Sequence, residues 1–179
     1  ELGSGEKTII GATNRAEDTV INANGLSGLF NLGEGDELSL SNLSVTNTNQ
    51  VINNYKGNVT LNNVVFNDFN DNYDTLMYNE AGTVKFEGDV SFKNNSAYDL
   101  IYNDQGTIIL GENASIFVEN ESYNNIYNNE GVIQILGDIK SDIYLTSYYG
   151  TIGLKAKDID GDGKVSYIGT YDLRDSTLD

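Results

Sequence analysis

The stretches LMYNEAGTVKF, from Leu76 to Phe86, and LIYNDQGTIIL, from Leu100 to Leu110, decide the fold. Both place an Asn three residues before a Gly, and apolar residues alternate after that Gly. Related stretches begin at Val51 (VINNYKGNVTL) and at Asn125 (NIYNNEGVIQI). Both residues step by 25, 24 and 25 along the chain, as Asn54, Asn79, Asn103 and Asn128, and as Gly57, Gly82, Gly106 and Gly131. A period of this length indicates a stacked array of one structural unit.

Each repeat contains three short strand patterns and leaves no room for a helix. Side chains alternate between the two faces of a strand, so pairs such as Val84 and Phe86 after the Gly are expected to point inward. Before the Gly, Met77 shares the parity of Asn79, which places that Asn on the inner side of a corner. A third strand contributes a column of apolar residues, namely Phe66, Phe92, Phe117 and Ile143.

Three strands in every 24 to 26 residues predict an all-β fold, a right-handed single-stranded parallel β-helix of about six or seven rungs. Stacked rungs bring like residues into ladders, in which inward Asn amides bond to the corner backbone and to each other. The Gly is expected to supply a positive φ at the tight corner. The stretch LSLSNLSVTNTNQ from Leu38 resembles a leucine-rich repeat, but those repeats devote half of each unit to an outer side that is missing here.

The regular repeats cover about residues 27–150, within a β-helix predicted for residues 1–155. Residues 156–179 form an acidic C-terminal segment, which we expect to hold a calcium loop or to link to a following domain. Neither end shows an amphipathic capping helix, a pattern typical of a fragment of a longer chain.

Composition excludes several classes of function. The 179 residues include 27 acidic and 10 basic side chains, a net charge of −17, and neither Cys nor His. Nucleic acid is not expected as a partner because its phosphates need a cationic face. No apolar run approaches the roughly 18 residues of a membrane-spanning helix, so no membrane insertion is expected. Without Cys or His, neither a thiol nucleophile nor a Ser–His triad can be built.

Tyrosines recur with the repeat and predict two columns. The first consists of Tyr78, Tyr102 and Tyr127, and the second of Tyr73, Tyr98, Tyr123 and Tyr148. The first column is opposite in parity to the inner Asn, so its rings are expected to point outward. Exposed rings combine apolar area with a hydroxyl, and therefore predict a surface for a glycan or a protein. The alternative is that stacked rings reinforce the ladder and cover a corner.

The stretch DIDGDGKV, from Asp158 to Val165, resembles the first two thirds of an EF-hand-type calcium loop and the loop of dockerin modules. Calcium prefers oxygen ligands, and closely spaced carboxylates around a Gly turn provide them. Gly169 occupies the place of the usual bidentate Glu, so a later acid would close the shell. The candidate ligands are Asp158, Asp160, Asp162, the Lys164 carbonyl and Asp172. The alternative is a solvated acidic turn.

Two Phe-x-x-Asn motifs, FKNN at Phe92–Asn95 and FVEN at Phe117–Asn120, each precede an apolar-Tyr-Asn strand and a Gly. With these motifs the region from about Ser27 to Gly150 resembles the passenger domains of autotransporters and related adhesin-like proteins, including the chlamydial polymorphic outer-membrane proteins. The resemblance implies a secreted protein at the bacterial cell surface. It also implies adhesion, self-association or display, with a host-cell or bacterial surface protein or a glycan as partner.

We therefore expect a non-enzymatic β-helical stalk or binding surface of a secreted, adhesin-like bacterial protein. The alternative is a polysaccharide-active β-helix, either a glycoside hydrolase or a lyase. A hydrolase needs two carboxylates about 5 to 9.5 Å apart across a cleft. A lyase resembling pectate lyase needs a basic residue near clustered Asp, but Arg15 and Arg174 both lie outside the repeats.

Overall fold

The computed structural model describes residues 4–119, 124–141, 143–154, 170–174 and 177–178. The strands of the first half are β1 (Glu6–Ile10), β2 (Val20–Asn22), β3 (Ser27–Leu32), β4 (Glu37–Thr46), β5 (Gln50–Asn54), β6 (Asn58–Asn67), β7 (Asn70–Asn79), β8 (Thr83–Phe86) and β9 (Asp89–Lys93). Those of the second half are β10 (Ser96–Asp104), β11 (Thr107–Leu110), β12 (Ser115–Glu119), β13 (Asn124–Asn129), β14 (Val132–Ile135), β15 (Asp138–Ile139), β16 (Tyr144–Tyr148), β17 (Thr151–Leu154), β18 (Thr170–Arg174) and β19 (Thr177–Leu178). Within the described ranges the one helix is a 3₁₀ turn, Ala16–Asp18.

The strands form two sheets in which every named strand pair is parallel. One sheet of seven strands has the order β18-β16-β13-β10-β7-β5-β3, and the other has twelve strands. The long strands β4 and β6 continue around a corner, so β8 and β9 both pair with β6 on separate faces. The larger sheet therefore covers two sides of the coil, and the seven-stranded sheet covers the third.

The register of the seven-stranded sheet counts the rungs. Its aligned core residues are Phe30, Ile52, Met77, Ile101, Ile126 and Leu145. These six rungs span about five turns, and β18 adds a seventh strand next to β16. The prediction of an all-β parallel β-helix is confirmed. β18 and β19 lie in the segment 156–179, where they extend both sheets.

The inward side chains predicted from strand parity form one continuous apolar core. Val84 and Phe86 are almost fully buried, as are their equivalents in the neighbouring rungs, Val59, Leu61, Ile108, Leu110, Ile133 and Ile135. Leu100 and Ile101 in β10 are buried as well. Since each rung covers the apolar side chains of its neighbours, burial of this core is the main stabilising contribution to the stack.

The predicted Phe column is wrong at one position. Phe66 and Phe92 are register partners, and their rings stack with centroids 5.4 Å apart. Val118, however, is the partner of Phe92, and Phe117 is half-buried beside Ser91. The corner between β11 and β12 is longer than the corner between β8 and β9, which shifts the register by one residue relative to a constant period of 25.

The predicted reason for the repeated Gly is also wrong. Gly82 and its equivalents do not have positive φ; in two later rungs the preceding residue does, as at Gln105 (63°) and Glu130 (59°). What these glycines require is space, because a Cβ on Gly82 would lie 2.7 Å from Asn54 Cγ and closer still to Asn54 Nδ2 and the Gly57 carbonyl oxygen. The Gly is therefore needed where the corner backbone passes against the inner Asn of the rung below.

Candidate binding surface: the tyrosine column

An inner ladder of four asparagines fixes the strands that carry the outward tyrosines. The ladder consists of Asn54, Asn79, Asn103 and Asn128, whose side chains are fully buried. Each Nδ2 donates to the Oδ1 of the next Asn, at 2.8, 2.6 and 2.7 Å in chain order. Each Nδ2 also donates to the carbonyl of its own corner Gly, at 2.9 to 3.1 Å. These bonds satisfy the buried amides, as predicted from the sequence.

The ladder has a distinct partner at each end. Asn128 Nδ2 donates to Ser147 Oγ at 3.0 Å, so a hydroxyl takes the place of a fifth amide. Below Asn54 the register partner is Leu32, an apolar residue. The polar ladder therefore covers the same rungs as the tyrosines on the outer face of this sheet.

The outer face carries a continuous row of aromatic rings, here called the tyrosine column. It consists of Tyr78, Tyr102, Tyr127 and Tyr148, with Tyr55 at its lower end. Successive ring centroids are separated by 6.5, 5.5, 5.0 and 5.5 Å, starting from Tyr55. Tyr102 and Tyr127 are the most nearly parallel pair, with an interplanar angle of 24°. The prediction that Tyr78, Tyr102 and Tyr127 form an outward column is confirmed.

The other predicted column is not brought together. Tyr148 stacks on Tyr127, because the step from β13 to β16 is 19 residues and Thr146 is the register partner of Tyr127. Tyr98 is exposed over 52% of its surface and lies at a shift in the register between β10 and β7. Tyr123 and the side chain of Tyr73 lie outside the described residues.

Carboxylates flank the tyrosine column. Asp104 accepts from Asn129 Nδ2 at 2.7 Å and, at the long limit of hydrogen bonding, from the Tyr78 hydroxyl at 3.5 Å. Glu130 accepts from Gln105 Nε2 at 3.1 Å on the adjacent corner. Among the described residues there are four ion pairs, and none of them includes Asp104 or Glu130. The column therefore lies on a surface with uncompensated negative charge.

This environment keeps the phenols protonated. Burial, together with the charges of Asp104 and Glu80, raises the pKa of Tyr78 to about 12. Burial also raises the pKa values of Tyr102 and Tyr127, with smaller contributions from nearby carboxylates. At neutral pH each hydroxyl is consequently a hydrogen-bond donor as well as an acceptor.

The stacking decides which part of each ring a ligand can reach. Tyr102 has one neighbouring ring at 5.0 Å and another at 5.5 Å on its two sides along the rod. A ring flanked in this way presents mainly its edge and hydroxyl to solvent. The column therefore offers a row of apolar edges and hydroxyl groups bordered by carboxylates, and it is less suited to flat stacking of a sugar on an open ring face.

The raised pKa of Tyr78 gives a prediction for alkaline unfolding. The phenol ionises near pH 10.0 in the unfolded chain and at about 12 in the folded protein, so unfolding releases a proton in this window. Stability should therefore fall as pH rises from 10 to 12. Tyr78→Phe should make this decline shallower in urea titrations followed by circular dichroism. At pH 7 the two proteins should agree within about 0.5 kcal/mol, and an unchanged alkaline slope would contradict the assignment.

A second surface was not anticipated from the sequence. A shallow groove of about 290 Å³ lies on the larger sheet, lined by Glu37, Ser39, Asn58, Thr60, Thr83 and Lys85 among others. These residues belong to the outward parity of β4, β6 and β8, where a sequence pattern shows only solvent-facing polar residues. Tyr55 was also missed, because its repeat places a ring where other repeats have Glu80 and Asp104.

The predicted calcium ligands are separated by the limits of the described chain. Asp158, Asp160, Asp162 and Lys164 lie outside the described residues. The backbone of Asp172 lies in β18, where it is the register partner of Thr146. The part of the chain that the structure describes contains no group of three or more Asp, Glu, Cys or His side chains arranged to hold a metal ion.

The fold and the column together define a parallel β-solenoid with an outward tyrosine column. Comparisons with protein-family models, curated proteins and solved structures found no match to this chain. No helix within the described ranges is long and apolar enough to span a membrane.

Proposed function

We propose that this chain is a non-enzymatic β-helical stalk or binding segment of a secreted, adhesin-like protein at the bacterial cell surface. The observation that carries the proposal is the tyrosine column, five rings in succession on one face of a rigid stack. Tyrosine is favoured at binding surfaces because it combines a large apolar area with a hydroxyl and loses little conformational entropy. The resemblance of the repeats to autotransporter passenger domains supports the same function.

The partner we propose is a protein or glycan surface on a host cell or another bacterium. Ring edges and hydroxyls favour a partner that offers apolar groups and hydrogen-bonding groups together, such as a protein surface. The surrounding carboxylates favour partners with basic side chains, because opposite potentials speed encounter and disfavour wrong partners. Self-association is the alternative within this proposal, and the net charge of −17 opposes it at low salt.

Adhesion of protein-coated beads tests the proposal. Fluorescent beads carrying the chain should bind to cultured epithelial cells or to bacterial cells, and beads carrying Tyr78→Ser, Tyr102→Ser and Tyr127→Ser together should bind much less. Tyr144→Ser, which removes an exposed ring outside the column, is the matched control and should bind like the parent. Equal binding by all three proteins would reject the column as the contact surface, and no binding by the parent to any tested cell would count against adhesion. Release of reducing ends from an incubated polysaccharide would instead support the polysaccharide-active alternative.

We also propose that the acidic loop beginning at Asp158 binds calcium. A ligand that binds only the folded state raises its stability in proportion to the logarithm of its concentration above Kd. The melting temperature followed by circular dichroism should therefore be higher in calcium than in EGTA. Asp160→Ala should abolish this difference while leaving the melt in EGTA unchanged. An identical melt of the parent in both solutions would reduce the segment to a solvated acidic turn.

A further inference from the structure

The strongest feature that the proposed function leaves unused is the reactive geometry of the tyrosine column. The chain has 12 Tyr and no Cys, so its rungs cannot be joined by disulfides. Tyr102 and Tyr127 are direct register partners on β10 and β13, with ring centroids 5.0 Å apart. They are the closest and most nearly parallel pair in the column. Two phenols held this close by the backbone are oriented for reaction with each other.

We propose that Tyr102 and Tyr127 form an oxidative crosslinking site, in which a one-electron oxidant joins the two rings as dityrosine. The class of oxidant is a haem peroxidase with hydrogen peroxide, or a photochemically generated metal complex of similar strength. The product is a covalent bond between adjacent rungs, 25 residues apart in the chain. This inference does not depend on the adhesive function.

The reaction balances without any further reagent. Each phenol loses one electron to the oxidant and one proton to a base, which leaves a phenoxyl radical. The two radicals couple through one carbon ortho to each hydroxyl, forming a single carbon–carbon bond. The hydrogen on each coupled carbon then moves to the phenolic oxygen as the rings regain aromaticity. Two electrons and two protons leave in total, and together they reduce one hydrogen peroxide to two water molecules.

The surroundings of the pair provide for the electron and the proton. Tyr55, exposed over 48% of its surface, lies at the lower end of the column and can be oxidised from solvent. The next ring, Tyr78, lies 5.5 Å from Tyr102, so an oxidised ring can be refilled by its neighbour along the column. Asp104 accepts the Tyr78 hydroxyl bond and is the base positioned to take up a released proton.

The crosslink would act as a disulfide does in other small extracellular folds. A covalent link restricts the unfolded chain more than the folded one, and so stabilises the native state. In the stack it would join β10 to β13, which the structure holds together by backbone hydrogen bonds and the Asn103–Asn128 contact. The tyrosine column thus provides a route to covalent reinforcement in a chain without cysteine.

Photo-oxidation of the purified 179-residue chain tests the site. The probe is tris(bipyridine)ruthenium(II) with persulfate, applied to dilute protein under brief illumination. Dityrosine fluorescence should appear in the monomer-sized fraction, and tandem mass spectrometry of the digest should identify a linked peptide pair containing Tyr102 and Tyr127, lighter by two hydrogen atoms. Tyr102→Phe, which retains the stacked ring, should lose that peptide pair and most of the monomer fluorescence. Tyr149→Phe, at a ring exposed over 64% of its surface, should retain both.

The same experiment can overturn the proposal. If exposure rather than stacking governs coupling, dityrosine will appear mainly in covalent dimers and Tyr149→Phe will reduce it. If Tyr102→Phe retains the monomer fluorescence of the parent, the coupled rings are elsewhere. Circular dichroism before illumination confirms that each variant is folded, so neither result can be attributed to lost structure.

Discussion

Asn79→Asp should lower the free energy of unfolding by about 3–5 kcal/mol at neutral pH, the usual cost of an uncompensated buried charge. Asn79 is fully buried, and its Nδ2 donates to Asn103 Oδ1 at 2.6 Å and to the Gly82 carbonyl at 3.1 Å. A carboxylate of nearly the same shape would place a negative oxygen against two acceptors. It would keep only the bond that Asn54 Nδ2 donates at 2.8 Å.

The matched control lies on the outer face of the neighbouring rung. Asn53 Nδ2 donates to Asn31 Oδ1 at 3.0 Å in a solvent-exposed ladder, so Asn53→Asp should cost only about 1 kcal/mol or less. Urea titrations of both variants provide the measurement. Burial raises the pKa of an introduced Asp, and the deficit of Asn79→Asp should therefore shrink as pH falls towards about 4, where the acid is protonated in both states. Equal losses in the two variants would contradict a buried ladder.

Gly82→Ala should lower the free energy of unfolding by about 3 kcal/mol, the upper range for overpacking of a tight interior. The added Cβ would meet the Asn54 amide and the Gly57 carbonyl oxygen, and the carbonyl belongs to the backbone and cannot rotate away. Since Gly57 and Asn54 also position the ladder, relief of the clash would require the corner to move away from the rung below.

Gly153→Ala is the control for this prediction. Its backbone does not have positive φ, and the nearest atoms to an added Cβ lie 3.9 Å away, at ordinary contact distance. Thermal or urea unfolding should show Gly153→Ala within about 0.5 kcal/mol of the parent. If Gly82→Ala were equally mild, the corner would have to be looser than the structure shows, and the steric account of the repeated Gly would be wrong.

The sequence was sufficient to predict the stack because its strongest signal is a period. Residues at constant spacing on both sides of Gly82 identify the rungs, and strand parity identifies which of them face inward. The polar ladder followed from the same parity, since Asn79 falls on the inner side with Met77. These inferences need only the total length of a rung, which is nearly constant from Asn54 to Asn128.

Predictions failed where the length of a single corner mattered. Phe117 is out of the Phe column because the turn from Leu110 to Ser115 is longer than its equivalent from Phe86 to Asp89. Tyr148 joins the other column because the rung from Ile126 to Leu145 has only 19 residues. A sequence period gives the sum of the corners of a rung but does not apportion it among them.

The candidate surface was partly predictable for the same reason. Tyr78, Tyr102 and Tyr127 follow the parity rule directly, whereas Tyr55 and Tyr148 reach the column from a neighbouring outward position. Contacts between rings depend on where side chains reach, and not on register alone. The acid beside the column, Asp104, could not be distinguished in sequence from the many other acidic residues of this chain.

Disulfide formation between engineered cysteines tests the stacked register most directly, and the absence of native Cys makes the experiment clean. Thr83 and Thr107 are register partners on β8 and β11, whereas Thr83 and Val132 are two rungs apart. Adjacent strands lie about 4.8 Å apart, and a disulfide needs Cα atoms within about 7 Å. Thr83→Cys with Thr107→Cys should therefore crosslink within the monomer under mild oxidation, and Thr83→Cys with Val132→Cys should not. Efficient crosslinking of the second pair in place of the first would contradict the parallel β-solenoid.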